Sequence, residues 1–318
     1  MLKMRKPELK MAWVERGNPV SQNPDSNKVK EAFRKLEYRV VVEQFLTDTA
    51  READIVLPAK TMFEQSDIIS SYWNQYVQLR QKVIEPIGEV KPETEIYYLL
   101  AKKMGFEDSE IEENIPAPTD DSIDNWLRKQ IKPWPEITLE KLKEGPVLSP
   151  GLQEIAFSDF KFNTPSGKIE LYSETAHNKW GVNHLPSYEK TIEGIKDDKQ
   201  YPFYLMSPNT KNRIHSQFGN LDSIKLIDPE PIATINLGDA NKKGIKDSDF
   251  IRVYNDRGEL KIKVKIDASL RPGNIVIVNG YWHEEGACPN TLSKGRETDM
   301  GHGTAFHDNM VNYEKVTV

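Results

Sequence analysis

Cysteine is almost missing from this sequence, with Cys288 standing alone among 318 residues. One thiol excludes an internal disulfide, and it cannot ligate an iron–sulfur cluster or a structural zinc by itself. Histidine is scarce too, with six in all, and none falls in the His-Glu-x-x-His spacing of a zinc protease. No apolar run comes near the ~20 residues that cross a bilayer. The start, Met1-Leu2-Lys3-Met4-Arg5-Lys6-Pro7, is basic but lacks the apolar stretch of a signal peptide. Positive charge is also in short supply: 43 Lys and Arg stand against 49 Asp and Glu, a net charge of −6. No basic stripe interleaves with aromatics, which disfavours nucleic acid as a partner. A soluble, cytoplasmic chain without direct membrane insertion is therefore expected, with export inside a larger complex left open. Missing as well are Gly-x-Gly-x-x-Gly, a Walker loop and Gly-x-Ser-x-Gly, the signatures of dinucleotide folds, P-loop enzymes and serine hydrolases.

What is present suggests about two domains, at ~150 residues each. Residues 1–106 alternate strand and helix signals. Leu9 to Pro19 is a strand running into Gly-Asn-Pro. The stretch from Ser26, a candidate N-cap, places Val29, Ala32, Phe33 and Leu36 on one helical face. Val40-Val41-Val42 marks a second strand, Thr47 to Ala53 a short helix, and Ile55-Val56-Leu57 a third, fully apolar strand ending at Pro58. Near-continuous apolar strands separated by helices indicate a parallel sheet covered on both faces, half of a doubly wound α/β domain. A further helix follows, with Pro92 near its start and Gly105 at its end. Residues 107–199 are rich in proline and acid and read as a peripheral connecting region, in which Asn163 to Ser173 looks like a turn feeding a strand. From 200 to 318, short strands alternate with turns, including a hairpin at Asp256-Arg257-Gly258, and only one helical segment, Gly238 to Lys243. That texture predicts a small β-barrel.

Ligands of open parallel sheets sit beyond the carboxyl ends of the strands. Gly17, Asn18 and Pro19 lie there after the first strand, Glu43 and Gln44 after the second. Glu43 matches the paired N–H donors of a guanine edge, and the amides opening the helix at Thr47 suit a phosphate. Ordinary loop punctuation is the competing reading of the same residues. A second group, Arg213, His215, Ser216, Gln217 and Asn220, is a dense donor array after a strand, although each alone reads equally as a solvated loop residue. A third, Asn290, His307 and Asn309, lies in a glycine-rich tail that otherwise reads as a turn-rich chain end. No catalytic or metal-ligating group is assigned, and Cys288 has no framing histidine motif.

These stretches together resemble the C-terminal part of the molybdopterin oxidoreductases, the dimethyl sulfoxide reductase and formate dehydrogenase superfamily. The resemblance rests on "ERGNP…NPDSNKVKEAF", "FLTDTAREADIVLPA", "KVIEPIGEVKPETEIYYLLAKKMG", "FNTPSGKIELYSE", the run from "ATINLGDANKKG" to "DASLRPG", and the closing "GTAFHDNMVNYEKV". It implies a double-psi, molybdopterin-dinucleotide-binding barrel and a molybdenum or tungsten atom held by two pyranopterin guanine dinucleotides. Gly17, Asn18, Glu43 and Thr47 would then line one dinucleotide, Arg213, His215, Ser216, Gln217 and Asn220 would meet the cofactor from the barrel, and Asn290, His307 and Asn309 would border the pterins. The family's iron–sulfur motif and metal-ligand loop have no counterpart here. The resemblance thus implies a cofactor-binding portion without turnover of its own, partnered by the N-terminal half or catalytic subunit of the same oxidoreductase. The alternative is a non-catalytic cofactor-binding or scaffolding subunit. Substrate and the choice of Mo or W are not legible.

Overall fold

Parallel pairing organises the first residues. In the computed structural model, which describes residues 2, 6–153, 155–189, 193, 199–298 and 301–316, β1 (Met11–Glu15) runs beside β2 (Tyr38–Glu43), with Met11 opposite Tyr38 and Glu15 opposite Val42. The β-branched side chains of Val40, Val41 and Val42 fit a pleated surface, and all three are buried. Between the strands lie α1 (Pro19–Gln22), with proline at its first position, and α2 (Ser26–Arg34). The cap of α2 is Asp25, in the left-handed region at φ 54°, and not the expected Ser26. A backbone bond from Asp25 N to Ser293 O (3.0 Å) fixes the chain there and moves the helix start by one residue. α3 (Asp48–Arg51) and β3 (Ile55–Pro58) follow, giving a three-stranded sheet of order β1-β2-β3. Phe33, Leu36, Val41 and Ala50 form its core. β3 corrects one expectation: Ile55 and Val56 are 40% and 39% exposed, because an edge strand has a neighbour on one side only.

The chain divides into two compact units, Met1–Val56 with Glu174–Val318, and Leu57–Ser173. The expected boundaries at 106 and 199 fall inside these units. In the second unit, β4 (Asp67–Ser71) and β5 (Asn74–Arg80) form an antiparallel hairpin, with α4 (Glu93–Met104), α5 (Asp108–Asn114), α6 (Asp120–Ile131) and α7 (Leu139–Glu144) after it. β6 (Val147–Leu148) adds to β5. Gly105 ends α4 at φ 84°, as expected. The stretch after 107 is more than a connection: Leu127, Ile131, Ile137, Leu139 and Leu142 form a core of their own against Ile68, Val77 and Leu79. Thr119 and Thr138 cap the two helices that carry most of these residues. The turn from Thr164 to Gly167 forms, but Lys168 to Ser173 belongs to no strand, and Ile169 and Leu171 are exposed. An alternating pattern makes a strand only where a partner offers ladder bonds.

The first unit resumes with α8 (Glu174–Trp180) and then closes a barrel. Its segments are β7 (Phe203–Met206), α9 (Asp222–Ile227), β8 (Ile232–Asn236), α10 (Leu237–Lys242), β9 (Phe250–Tyr254), β10 (Glu259–Asp267) and β11 (Asn274–Ile277). The short β12 (Arg296–Glu297) and β13 (Thr304–Ala305) pair with each other, and β14 (Asn309–Lys315) completes the barrel. The closed order is β10-β8-β11-β7-β14-β9, with parallel pairs β10/β8 and β11/β7 and the others antiparallel. Alternation decides what faces in: Leu260, Ile262 and Val264 of β10 are buried in the barrel core, while the lysines between them are not. The hairpin between β9 and β10 turns where expected. α9 was not expected; none of its residues is buried, so it leaves no apolar periodicity to read. Among the described residues no helix is long and apolar enough to cross a membrane.

Candidate functional site

Loops from the strand ends of the barrel meet the α1 segment around a cavity of about 600 Å³. Three α1-side residues, Ser21, Gln22 and Asn23, form one wall. The chain after β7 brings Ser207, Pro208, Asn209, His215 and Ser216; the chain after β11 brings Asn279, Gly280 and Tyr281, then Cys288, Pro289 and Asn290. Phe306 and His307, just before β14, complete the lining. No lysine, arginine, aspartate or glutamate is among these residues. Amides, hydroxyls and imidazoles instead offer neutral donors and acceptors beside aromatic surface.

The polar groups are held in place from behind. Asn279 donates from its amide nitrogen to Asn209 Oδ1 (2.8 Å) and from its backbone to Pro208 O (3.0 Å), while its Oδ1 is buried without a partner. A buried carbonyl oxygen left unbonded is costly. Asn290 donates to Ser21 O (2.8 Å) and Gln22 O (3.1 Å). Ser216 O accepts the Trp282 indole N–H (2.7 Å), and His215 sits in the left-handed region at φ 50°.

Arg213 supports this wall without reaching the cavity. Its side chain is 1% exposed, bonded to Asp228 (3.1 Å) and Glu285 (2.9 Å), with its guanidinium 4.1 Å from the centre of the Tyr281 ring. The Tyr281 hydroxyl donates to Asp228 (2.5 Å), and burial raises its pKa. Arg213 is thus fully engaged inside the protein, where the sequence suggested a ligand contact.

Other expected residues divide similarly. His215, Ser216, Asn290 and His307 line the cavity. Asn309 is buried, its Oδ1 accepting from Lys294 N and its Nδ2 donating to Phe306 O, both at 2.8 Å, so it shapes the loop that carries His307. Asn18 Oδ1 accepts from the amide (3.1 Å) and hydroxyl (2.7 Å) of Thr49, and Thr47 Oγ1 accepts the Ala50 amide (3.2 Å). The amides expected to cradle a phosphate at the start of α3 are therefore partly satisfied internally. Gly17 and Pro19 flank Asn18 at the head of α1. Glu43 is half-buried at the end of β2 with Oε1 on the Gln44 amide (2.7 Å), and Gln44 is exposed. Gln217 closes a tight turn onto Ile214 O (2.9 Å), and Asn220 is half-buried nearby in sequence. Sequence reasoning missed Ser21, Gln22, Asn23 and Asn279; only their place just after strands and turns could have flagged them.

Two groups close to the cavity are chemically quiet. Burial pushes the Cys288 thiol up to about 12, and its Sγ–H points to Ser21 O (3.4 Å), so no thiolate nucleophile is available near neutral pH. His283 Nε2 lies 3.2 Å from Val20 O, which a neutral ring serves as donor. Burial first, and then the Lys30 charge, hold its pKa below the ordinary 6.5, against Asp48 and Glu52, which raise it. A depressed histidine pKa means that the unfolded chain takes up protons more readily, so this contribution is full above pH ~6.5 and is lost as pH falls below it. His283→Gln, which keeps an N–H donor, is expected to flatten that part of the pH–stability curve; urea unfolding of both forms at several pH values between about 5 and 8 checks it.

Residues 1–103 match the family described as "Molybdopterin oxidoreductase", and residues 203–310 match the "Molydopterin dinucleotide binding domain". "Probable oxidoreductase YoaE" of Bacillus subtilis is 35% identical over 98% of this chain and 45% of its own length. "Dimethyl sulfoxide reductase DmsA" of Escherichia coli is 31% identical over 97% of this chain and 42% of its own. The chain thus spans less than half the length of these curated relatives. Among solved structures, "Acetylene Hydratase from Pelobacter acetylenicus" superposes with a TM-score of 0.76 at 22% identity, over 96% of this chain and 44% of that one, which shows a shared fold. With the α/β segment and the barrel each matched, and relatives aligned along nearly its whole length, this chain belongs to the molybdopterin oxidoreductase family.

Proposed function

We propose that this chain is the cofactor-binding portion of a molybdenum or tungsten oxidoreductase that uses the bis-molybdopterin guanine dinucleotide cofactor. The observation that carries the reading is the uncharged, donor- and acceptor-lined cavity between α1 and the barrel loops. A flat heterocycle rich in ring nitrogens and exocyclic amines fits such a lining. A bare phosphate, which calls for cations or free amides, does not. His215, Ser216, Asn279 and His307 would hold the heteroaromatic part, with Asn290 holding the α1 wall. Glu43 is assigned to the guanine edge, where its second carboxylate oxygen is available. The bound group supplies a redox-active metal; this chain's residues orient the dinucleotide and exclude water from it. Any iron–sulfur cluster needs cysteines beyond Cys288 and belongs to another portion of the enzyme, the N-terminal half or catalytic subunit, which is the expected partner.

The test is cofactor retention in the complete enzyme that contains this chain. Metal per polypeptide and released pterin are measured for the wild type and for the His215→Ala/His307→Ala double variant. Occupancy is expected to behave as a loss of about tenfold in affinity, roughly 1.4 kcal/mol. Unchanged metal and pterin content would reject the assignment of the cavity.

A further inference from the structure

Asp48 lies outside the cavity lining, in α3, and is 6% exposed. One carboxylate oxygen, Oδ2, accepts both the Ser21 hydroxyl and the His283 backbone amide (2.7 Å). Ser21 belongs to the α1 wall. His283 opens the single turn His283–Glu285 on the way from Tyr281 to Cys288, two residues of another wall. Glu285 of that same turn is held by Arg213, so the turn is pinned from two sides by buried side chains. Among the described residues no lysine, arginine or histidine side chain makes an ion pair with Asp48.

A buried carboxylate hydrogen-bonded only to neutral donors is not a strong stabilising device, since leaving water costs free energy. Its geometry suits a different task. One rigid, short side chain bonded to two segments far apart in sequence fixes their separation. Asn290 bridges the same walls, but it lines the cavity and is exposed to competition from a ligand. Asp48 is shielded from that competition.

We infer that Asp48 is a positioning residue, a buried bracket that sets the spacing of the α1 wall and the 281–290 wall and thereby the shape of the cavity before a ligand enters. Only the identity of the ligand rests on the cofactor reading above; the bracket itself does not. Asparagine at this position keeps an oxygen that serves both donors, whereas leucine of similar bulk serves neither.

The experiment uses the complete enzyme that contains this chain. Amide hydrogen exchange is followed at His283, at residues 20–23, and at Ile262 and Ile275 in the barrel core as reference. Asp48→Leu is expected to speed exchange at His283 and 20–23 by about tenfold with the reference amides unchanged, Asp48→Asn to restore protection, and Ser21→Ala to give a smaller rise of about threefold. Equal exchange in the wild type and Asp48→Leu, an equal rise across the barrel, or failure of asparagine to restore protection would each overturn the bracket. In a second arm, molybdopterin guanine dinucleotide is titrated into each form, with affinity expected to fall about tenfold in Asp48→Leu and to return in Asp48→Asn. Equal affinity of the wild type and Asp48→Leu also counts against the bracket. A wild-type enzyme that does not bind the dinucleotide overturns the cofactor reading instead, and the exchange data then decide the bracket alone.

Discussion

Arg213→Met is expected to be among the most damaging single substitutions in the barrel unit. Methionine fills much of the volume of arginine, so the loss is chiefly electrostatic. The guanidinium is bonded to Asp228 and Glu285, and its removal leaves two carboxylates facing each other's charge across the vacated space. Breaking a buried pair from one side costs about 3–5 kcal/mol; the lower end applies here because both carboxylates keep about a fifth of their surface in water. A unit of this size loses about 2–4 °C in Tm per kcal/mol, so a fall of roughly 6–12 °C is the expected reading. The loss has a direction as well as a size. Tyr281 loses the cation over its ring, and its hydroxyl is left bonded to an unpaired Asp228, so the cavity wall loosens along with the fold. A thermal melt within 1–2 °C of wild type, a loss of under about 1 kcal/mol, would mean that the ionic cluster is not holding this wall. Triple replacement, with Asp228→Asn and Glu285→Gln added to Arg213→Met, is expected to recover much of the lost stability by removing the orphaned charges.

Gly280→Ala carries the second large effect, because two constraints coincide. The residue stands at φ +103°, where side chains are rare, and a Cβ there would lie 2.5 Å from the backbone oxygen of His215. The conformational term alone is worth about 1–3 kcal/mol. The steric term cannot be relieved by rotating a side chain, since the obstacle is backbone, so the 213–216 loop must shift. Gly286 provides the control: its φ is +84°, but nothing lies within 4 Å of an added Cβ. Gly286→Ala is expected to show only the conformational cost of about 1 kcal/mol, and Gly280→Ala at least twice that. Urea midpoints for the two variants measure the difference, and equal midpoints would contradict it. Because His215 lines the cavity, Gly280→Ala is also expected to weaken ligand binding, whereas Gly286→Ala is not.

Much of the fold was legible where local pattern and tertiary role agree. Val40-Val41-Val42 reads as a strand and is one, buried at the centre of its sheet. The turn at Asp256-Arg257-Gly258 joins two alternating strands whose apolar side chains fill the barrel. Ile55-Val56-Leu57 reads as a buried strand and is instead an exposed edge, since apolar composition does not tell how many neighbours a strand acquires. Lys168 to Ser173 alternates as a strand should and belongs to none, because hydrogen-bond partners are supplied by other parts of the chain. The helices after 107 were obscured by prolines and acids at their ends, although Leu127, Ile131, Leu139 and Leu142 sit at packing positions.

The site divides along the same line. His215, Ser216, Asn290 and His307 stood out as donors in loops and do line the cavity, while Arg213, Asn309 and Thr47 stood out for the same chemical reason and serve the framework; Asn18 gives its Oδ1 to the framework and leaves its Nδ2 buried without a partner. By itself the sequence determined the family and the strand and turn pattern of the barrel, because these depend on residue type and spacing. Only the tertiary structure decided which donors face the cavity and which are consumed behind it. A hydrogen-bonding group has few bonds to give, and whether they go inward or to a ligand depends on neighbours brought from far along the chain, such as Asp48 to His283 or Ser21 to Asn290.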